Sequence, residues 1–223
     1  MLKFFEKFID SLYDDTCLIC NKVSHKTVVC RACEESFNIR GSNQMRKNLQ
    51  GITVYSWGIY EGSLRDGILK LKGGKRNLAE FFTKKLTAFW TKLSKEITSK
   101  DFTVIPVPSH KKRIKERGYC QTTLIADLLS KQIGYNFRNN IVIRTKETKY
   151  MNALNNINER IQNIQDAFKA TSDFSEENVK NILVIDDIVT SGSTMNELVK
   201  TIHKQNQEIN LVGLTIASGD TYN

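Results

Sequence analysis

The residues best suited to chemistry lie in one run, Ile182 to Thr194, which reads ILVIDDIVTSGST. Four apolar residues without alternation form a strand buried on both faces, and charge appears only where the strand emerges. After it, Thr190, Ser191, Gly192, Ser193 and Thr194 offer successive backbone N–H groups and hydroxyls to a phosphate at the N-terminus of the next helix. Gly192 is expected to let the backbone approach that phosphate closely, and a helix beginning near Thr194 adds its dipole. Asp186 and Asp187 crowd the loop too closely to share its phosphate, and their carboxylates accept well from sugar hydroxyls. Together these groups fit a ribose 5-phosphate. A plain helix cap would account for Ser193 or Thr194, but for neither the acidic pair nor the glycine.

A second constellation is Cys17-x2-Cys20 and Cys30-x2-Cys33, two close pairs separated by nine residues. That spacing turns four thiolates toward one metal and leaves no open coordination position, as in structural Zn2+ sites. Disulfides compete as an explanation, but they rarely persist inside a reducing compartment. His25 lies between the pairs and reads as a surface residue, since four thiolates complete a tetrahedral shell. Cys120 stands apart as a spare thiol.

The elements that must position these groups follow from the periodicity. Phe4, Phe5, Phe8, Ile9 and Leu12 lie on one side of a short helix ending near Tyr13. Ile52 to Tyr60 is rich in β-branched and aromatic residues and predicts a strand, closed by Glu61-Gly62. The basic stretch from Arg65 to Arg76, broken by Gly73-Gly74, is expected to link that strand to a long helix. Leu78, Phe81, Phe82, Leu86, Phe89, Trp90, Leu93 and Ile97 give the long helix an apolar stripe that docks on a sheet. From Thr103 onward short apolar runs alternate with helical segments: TVIPV, Leu124 to Leu129, IVIR, ILVI, Met195 to Ile202 and LVGLTI. This alternation predicts an α/β fold with a twisted, mainly parallel sheet, whose ligands bind at the carboxyl ends of the strands. The boundary between a small N-terminal module (residues 1–45) and the main domain (residues 46–223) is placed near residue 45.

The 223 residues, 40% of them apolar, carry 33 Lys and Arg against 24 Asp and Glu, a net charge of +9 that attracts polyanions. No stretch has the roughly 18 consecutive apolar residues of a membrane span, and acidic residues interrupt the N-terminus, unlike a signal peptide. The chain is therefore expected to be cytoplasmic, without membrane insertion. Tyr55, Trp57 and Tyr60 beside a basic segment are compatible with stacking on nucleic-acid bases, although aromatics at such spacing belong more often to a core.

The run from Ile182 to Thr194 closely resembles the motif by which type I phosphoribosyltransferases bind 5-phosphoribosyl-1-pyrophosphate (PRPP). The resemblance implies that Asp186 and Asp187 contact the ribose hydroxyls as the catalytic acidic pair, that Thr190, Ser191, Gly192, Ser193 and Thr194 hold the 5-phosphate, and that Mg2+ accompanies PRPP. Upstream, VIPVPSHKKRIKERGYCQ contains both prolines of the chain. PVP, a basic run and Arg117-Gly118-Tyr119-Cys120-Gln121 are similar to the ComF family, with Cys120 where that family commonly has asparagine. Leu69-Lys70-Leu71-Lys72-Gly73, Asn152-Ala-Leu, Glu159-Arg160, Asn163, Ala167-Phe168 and the cysteine module extend the likeness over nearly the whole chain. Ser218 and Gly219 follow Ala217 where an arginine is common in the family.

By this resemblance the fold is that of a type I phosphoribosyltransferase with an N-terminal zinc module. The resemblance also implies a pyrophosphate loop comprising Ser109, His110, Lys111, Lys112, Arg113 and Arg117, and a lid between Lys146 and Phe168. Any hood over the sugar would come from residues before Asp101. Two functions are implied. One is PRPP binding with single-stranded DNA handling during DNA uptake, in company with the uptake machinery. The other is salvage of a nucleobase by transfer of ribose 5-phosphate to a nitrogen nucleophile.

Overall fold

The computed structural model describes residues 16–39, 46–99, 101–148, 156–176 and 179–219. The helix expected up to Tyr13, the boundary near residue 45 and the Asn152 segment lie outside them. In chain order the elements are α1 (Arg31–Glu35), β1 (Arg46–Leu49), β2 (Ile52–Ile59), α2 (Gly62–Lys72), α3 (Asn77–Leu93), β3 (Thr103–Pro106), α4 (Lys111–Arg117) and α5 (Gln121–Ile133). Then follow β4 (Asn136–Phe137), β5 (Val142–Arg144), α6 (Ile157–Ile164), β6 (Phe168–Ala170), α7 (Ser172–Glu176), β7 (Asn181–Val189), α8 (Ser193–His203) and β8 (Asn210–Ser218).

Six strands form one sheet in the order β1-β2-β8-β7-β3-β4. Edge strand β1 is antiparallel to β2, and every other pairing is parallel. The protein is thus α/β, with a mostly parallel mixed sheet flanked by helices. Strand alternation divides the apolar residues between two faces. Leu183 and Ile185 of β7 face a core built with Leu78, Phe82, Leu86 and Trp90 of α3 and Ile125 and Leu129 of α5. Ile182 and Val184 face a second core with Leu198, Val199 and Ile202 of α8.

Three expectations are corrected. The basic stretch from Arg65 to Arg76 does not merely link two elements, because most of it belongs to α2. Leu64, Gly67, Ile68 and Leu71 are buried at helical spacing beneath its charges. The IVIR run does not join the main sheet: β5 pairs antiparallel with β6 in a separate two-stranded sheet. The segment from Lys146 to Phe168 therefore does not connect two strands of the main sheet, and its described part contains α6. The main sheet instead gains β4, whose two residues are too few to show a period.

The cysteine module packs on the same core as α2 and α3. Cys17, Ile19, Val29, Cys33 and Phe37 are buried in one cluster with Trp57, Leu64 and Phe82. Phe37 meets Trp57 edge-on with ring centroids 5.8 Å apart. Trp57, only 7% exposed, is a core residue and offers no stacking face to a base. Among the described residues no helix is long and apolar enough to cross a membrane.

Candidate functional site

The chemistry of the ILVIDD strand depends on where its neighbour stops. Strand β3 ends at Pro106, paired with Ile185, while β7 continues beside β8 as far as Val189. Asp186 and Asp187 therefore stand just past the end of β3, where a cavity of about 960 Å³ opens. Thr190, Ser191, Gly192, Ser193 and Thr194 line the same cavity, so the fold brings the acidic pair and the predicted turn to one site.

The glycine turn is made by backbone geometry. Gly192 has φ +79°, the left-handed conformation that costs a side-chain-bearing residue strain, and it is the N-cap of α8. A Cβ placed there would lie 2.7 Å from Leu49 Cδ2. The space that glycine keeps open thus faces β1, which differs from the expected close approach to a phosphate. The helix begins at Ser193, one residue ahead of its expected start. Ser191 Oγ and Ser193 Oγ lie 2.8 Å apart and tie the turn together.

Both carboxylates are held by protein groups. Asp187 is 5% exposed. Its Oδ1 lies 3.0 Å from Lys72 Nζ, and its Oδ2 accepts from Gln121 Nε2 at 2.9 Å. Gln121 Oε1 in turn accepts from Arg117 Nη1 at 3.1 Å. Asp186 Oδ1 accepts from the Asp187 backbone N–H at 2.8 Å. Burial, then the adjacent Asp187 carboxylate, push the Asp186 carboxyl up to about 8, against the pull of Lys72 and Arg144.

The segment after PVP is helical where a loop was expected. Helix α4 turns Arg113, Glu116 and Arg117 toward the cavity, and Ser109 joins them from the preceding turn. His110, Lys111 and Lys112 do not line it: His110 Nδ1 accepts from the Lys112 backbone N–H at 3.4 Å, and Lys112 Nζ pairs with Glu147 at 2.7 Å. Helical period separates these groups, since residues 113, 116 and 117 share a face that 111 and 112 do not.

Gly118, with φ +76°, ends α4 and lets the chain reverse into α5. The Tyr119 hydroxyl donates to the Leu71 carbonyl, and Arg76 lies 5.2 Å above the Tyr119 ring. Cys120 is the N-cap of α5, with its Sγ 3.4 Å from Ser109 Oγ and 3.1 Å from Thr122 Oγ1. Burial raises this thiol, but those hydroxyls and Thr123 outweigh it, and the net shift is downward.

Residues that motif reading did not assign to the site also line it. Lys72 comes from the end of α2 and Gly73 from its C-cap, Arg144 from β5 and Arg160 from α6. Arg144 donates to Thr148 Oγ1, and its guanidinium lies 5.6 Å from the Phe168 ring centroid. Burial and the nearby Arg113 lower Arg144 to about 10. Arg113 Nη2 donates to the Thr148 carbonyl at 2.7 Å, so the segment that follows β5 is fastened to α4. Five cationic side chains thereby face three carboxylates, a surplus suited to a polyanion. The cation surplus of the sequence hinted at this, but charge alone does not say which lysines and arginines converge.

In the second site, the Sγ atoms of Cys17, Cys20, Cys30 and Cys33 all lie within 4.8 Å of one another. Cys20 and Cys30 Sγ are 3.7 Å apart, and all four thiols are free. Four thiolates about 2.3 Å from a tetrahedral metal stand roughly 3.8 Å apart, so the cluster can hold a metal ion such as zinc. Burial raises Cys17, yet backbone hydrogen bonds from Cys20, Cys30 and Ile19 outweigh it and bring the thiol down to about 6. Burial and the neighbouring thiols push Cys33 upward. His25 is exposed and is not among the clustered groups, in keeping with its reading as a surface residue.

Fold and sites together define an α/β protein with a hydroxyl-rich turn at the carboxyl end of its sheet and a four-cysteine module packed alongside. No family model matches the chain. It is 36% identical over 115 residues to competence protein F of Haemophilus influenzae, a match covering 51% of this chain and 50% of that protein. It is 26% identical over 202 residues to competence protein ComFC of Bacillus subtilis, covering 90% of this chain and 76% of the relative. Both relatives are competence proteins of the ComF type, and the chain is similar to them over half and nine tenths of its length respectively.

Proposed function

We propose that this chain is a PRPP-binding protein of the phosphoribosyltransferase type that handles single-stranded DNA during DNA uptake for competence. The observation that carries the reading is the convergence, in one cavity, of Asp186 and Asp187, the turn from Thr190 to Thr194, and the cations Lys72, Arg113, Arg117 and Arg144. The turn would take the 5-phosphate, the acidic pair the ribose hydroxyls, and the cations the pyrophosphate. Magnesium usually binds through one or two carboxylates together with the ligand's own phosphate oxygens. Asp186, on the cavity wall and outside the Lys72 pair that engages Asp187, would offer the carboxylate once it gives up its proton, and the ion would neutralise polyphosphate charge. The four cysteines would hold a structural zinc that stiffens the module against α2 and α3. The names of the relatives support a role in competence, and the +9 charge supports contact with a nucleic-acid backbone.

Tyr60, Leu69, Val107 and Pro108 also line the cavity, giving it an apolar wall beside the anion-binding groups. That wall favours a second reading, transfer of ribose 5-phosphate to a planar nitrogen nucleophile. In that reaction positioning and charge stabilisation by these residues would assist the departure of pyrophosphate.

Calorimetric titration with PRPP and magnesium, with and without single-stranded DNA, tests the proposal. Saturable PRPP binding, weakened by Asp187→Asn with metal content at the cysteines unchanged, together with salt-dependent DNA binding, is expected. No PRPP binding by folded protein would overturn it. Pyrophosphate release with one of a panel of nucleobases would favour the salvage reading.

A further inference from the structure

The phosphate turn is braced from a strand that lies far away in sequence. Lys47 and Leu49 are two residues apart on β1 and so share one of its faces. Lys47 Nζ donates to the Thr190 carbonyl at 2.7 Å. Leu49 sits against Gly192, where an added Cβ would come within 2.7 Å of it. One strand face thus meets the turn that would take the phosphoryl group at its first residue and at its glycine. The strand is itself held in register by its pairing with β2, Lys47 opposite Val54.

We infer that Lys47, which stands outside the cavity wall, is a positioning residue for phosphate binding, acting through the Thr190 carbonyl. The inference rests on the reading of the turn as a phosphate site. An ammonium on a carbonyl polarises the whole peptide unit, and a trans peptide carries its N–H on the side opposite the carbonyl. The N–H of the Thr190–Ser191 peptide belongs to Ser191, which lines the cavity. Lys47 therefore strengthens that donor and adds positive charge behind the turn without occupying ligand space. Partial burial lowers the Lys47 pKa by desolvation.

The test compares wild type, Lys47→Met, Lys47→Gln and Lys47→Arg by calorimetry with ribose 5-phosphate, PRPP with magnesium, and pyrophosphate. Folding is checked by thermal unfolding. Loss of the charged donor is expected to weaken ribose 5-phosphate and PRPP about five- to tenfold, with pyrophosphate changed by about twofold or less and Lys47→Arg close to wild type. A purely structural role would lower all three affinities together and would overturn the inference. So would unchanged ribose 5-phosphate affinity in a folded Lys47→Met or Lys47→Gln variant. If wild type binds neither ribose 5-phosphate nor PRPP, the phosphate reading itself fails and takes this inference with it.

Discussion

Lys72 Nζ lies 3.0 Å from Asp187 Oδ1, joining the end of α2 to the strand that carries the acidic pair. Asp187 is almost fully buried and Lys72 is 26% exposed in its side chain, so the two ends of the pair differ in their access to water. Removing the lysine leaves a buried carboxylate held by Gln121 without its counter-charge, which is the costly half of such a pair.

Lys72→Met is accordingly expected to lower stability by about 1–3 kcal/mol. Lys72→Met combined with Asp187→Asn should recover part of that loss, because the uncompensated charge is gone. Urea denaturation of the four proteins of the cycle reads the coupling. Strict additivity would show that the contact contributes nothing to folding.

The Asp186 carboxyl, raised to about 8, binds a proton in the folded chain that the unfolded chain has released above its ordinary value of 3.8. Stability should therefore fall as pH rises from about 4 to 8 and level off above 8. Asp186→Asn should flatten this slope. The cavity leaves Asp186 partly exposed, so water damps the effect, and a relative gain on the order of 1–2 kcal/mol between pH 5 and pH 8 is expected. Parallel melts of the two proteins across that range provide the measurement.

Gly192→Ala should cost about 1–2 kcal/mol, since alanine at φ +79° is strained and its Cβ meets Leu49. Adding Leu49→Ala should relieve the contact but leave the strain in φ. Recovery of only part of the stability loss, relative to Leu49→Ala alone, is the expected result in urea denaturation.

About one zinc per chain is expected by metal analysis of reduced protein. Cys17→Ser with Cys20→Ser should abolish it and loosen the packing of the module on Trp57, which Trp fluorescence will register. PRPP affinity should change far less than in Asp187→Asn.

Much of the site was legible because its groups are close in sequence. The run from Ile182 to Thr194 and the two Cys-x2-Cys pairs each gather their chemistry through local geometry. Arg117, Tyr119 and Gln121 are visible as a motif, and Arg117 reads as a pyrophosphate cation, but the hydrogen bonds that tie the three to the site are not visible there. Arg117 hydrogen-bonds Gln121, Tyr119 reaches Leu71, and Gln121 reaches Asp187. Helix α2 is harder to read because its buried positions, Leu64, Gly67, Ile68 and Leu71, are interleaved with lysines, arginine and aspartate and include a glycine.

The sequence alone determined the buried strand, the acidic pair, the glycine turn and the four clustered thiols, since period, residue type and short spacing act over one or two turns of chain. Only the tertiary structure decided that β5 leaves the main sheet, that Lys72 rather than Lys111 or Lys112 meets the acidic pair, and that Lys47 and Leu49 brace the turn. Those choices depend on which distant segments pack together. Packing is decided by apolar burial over the whole chain, so no local spacing announces which charge will arrive at which carboxylate.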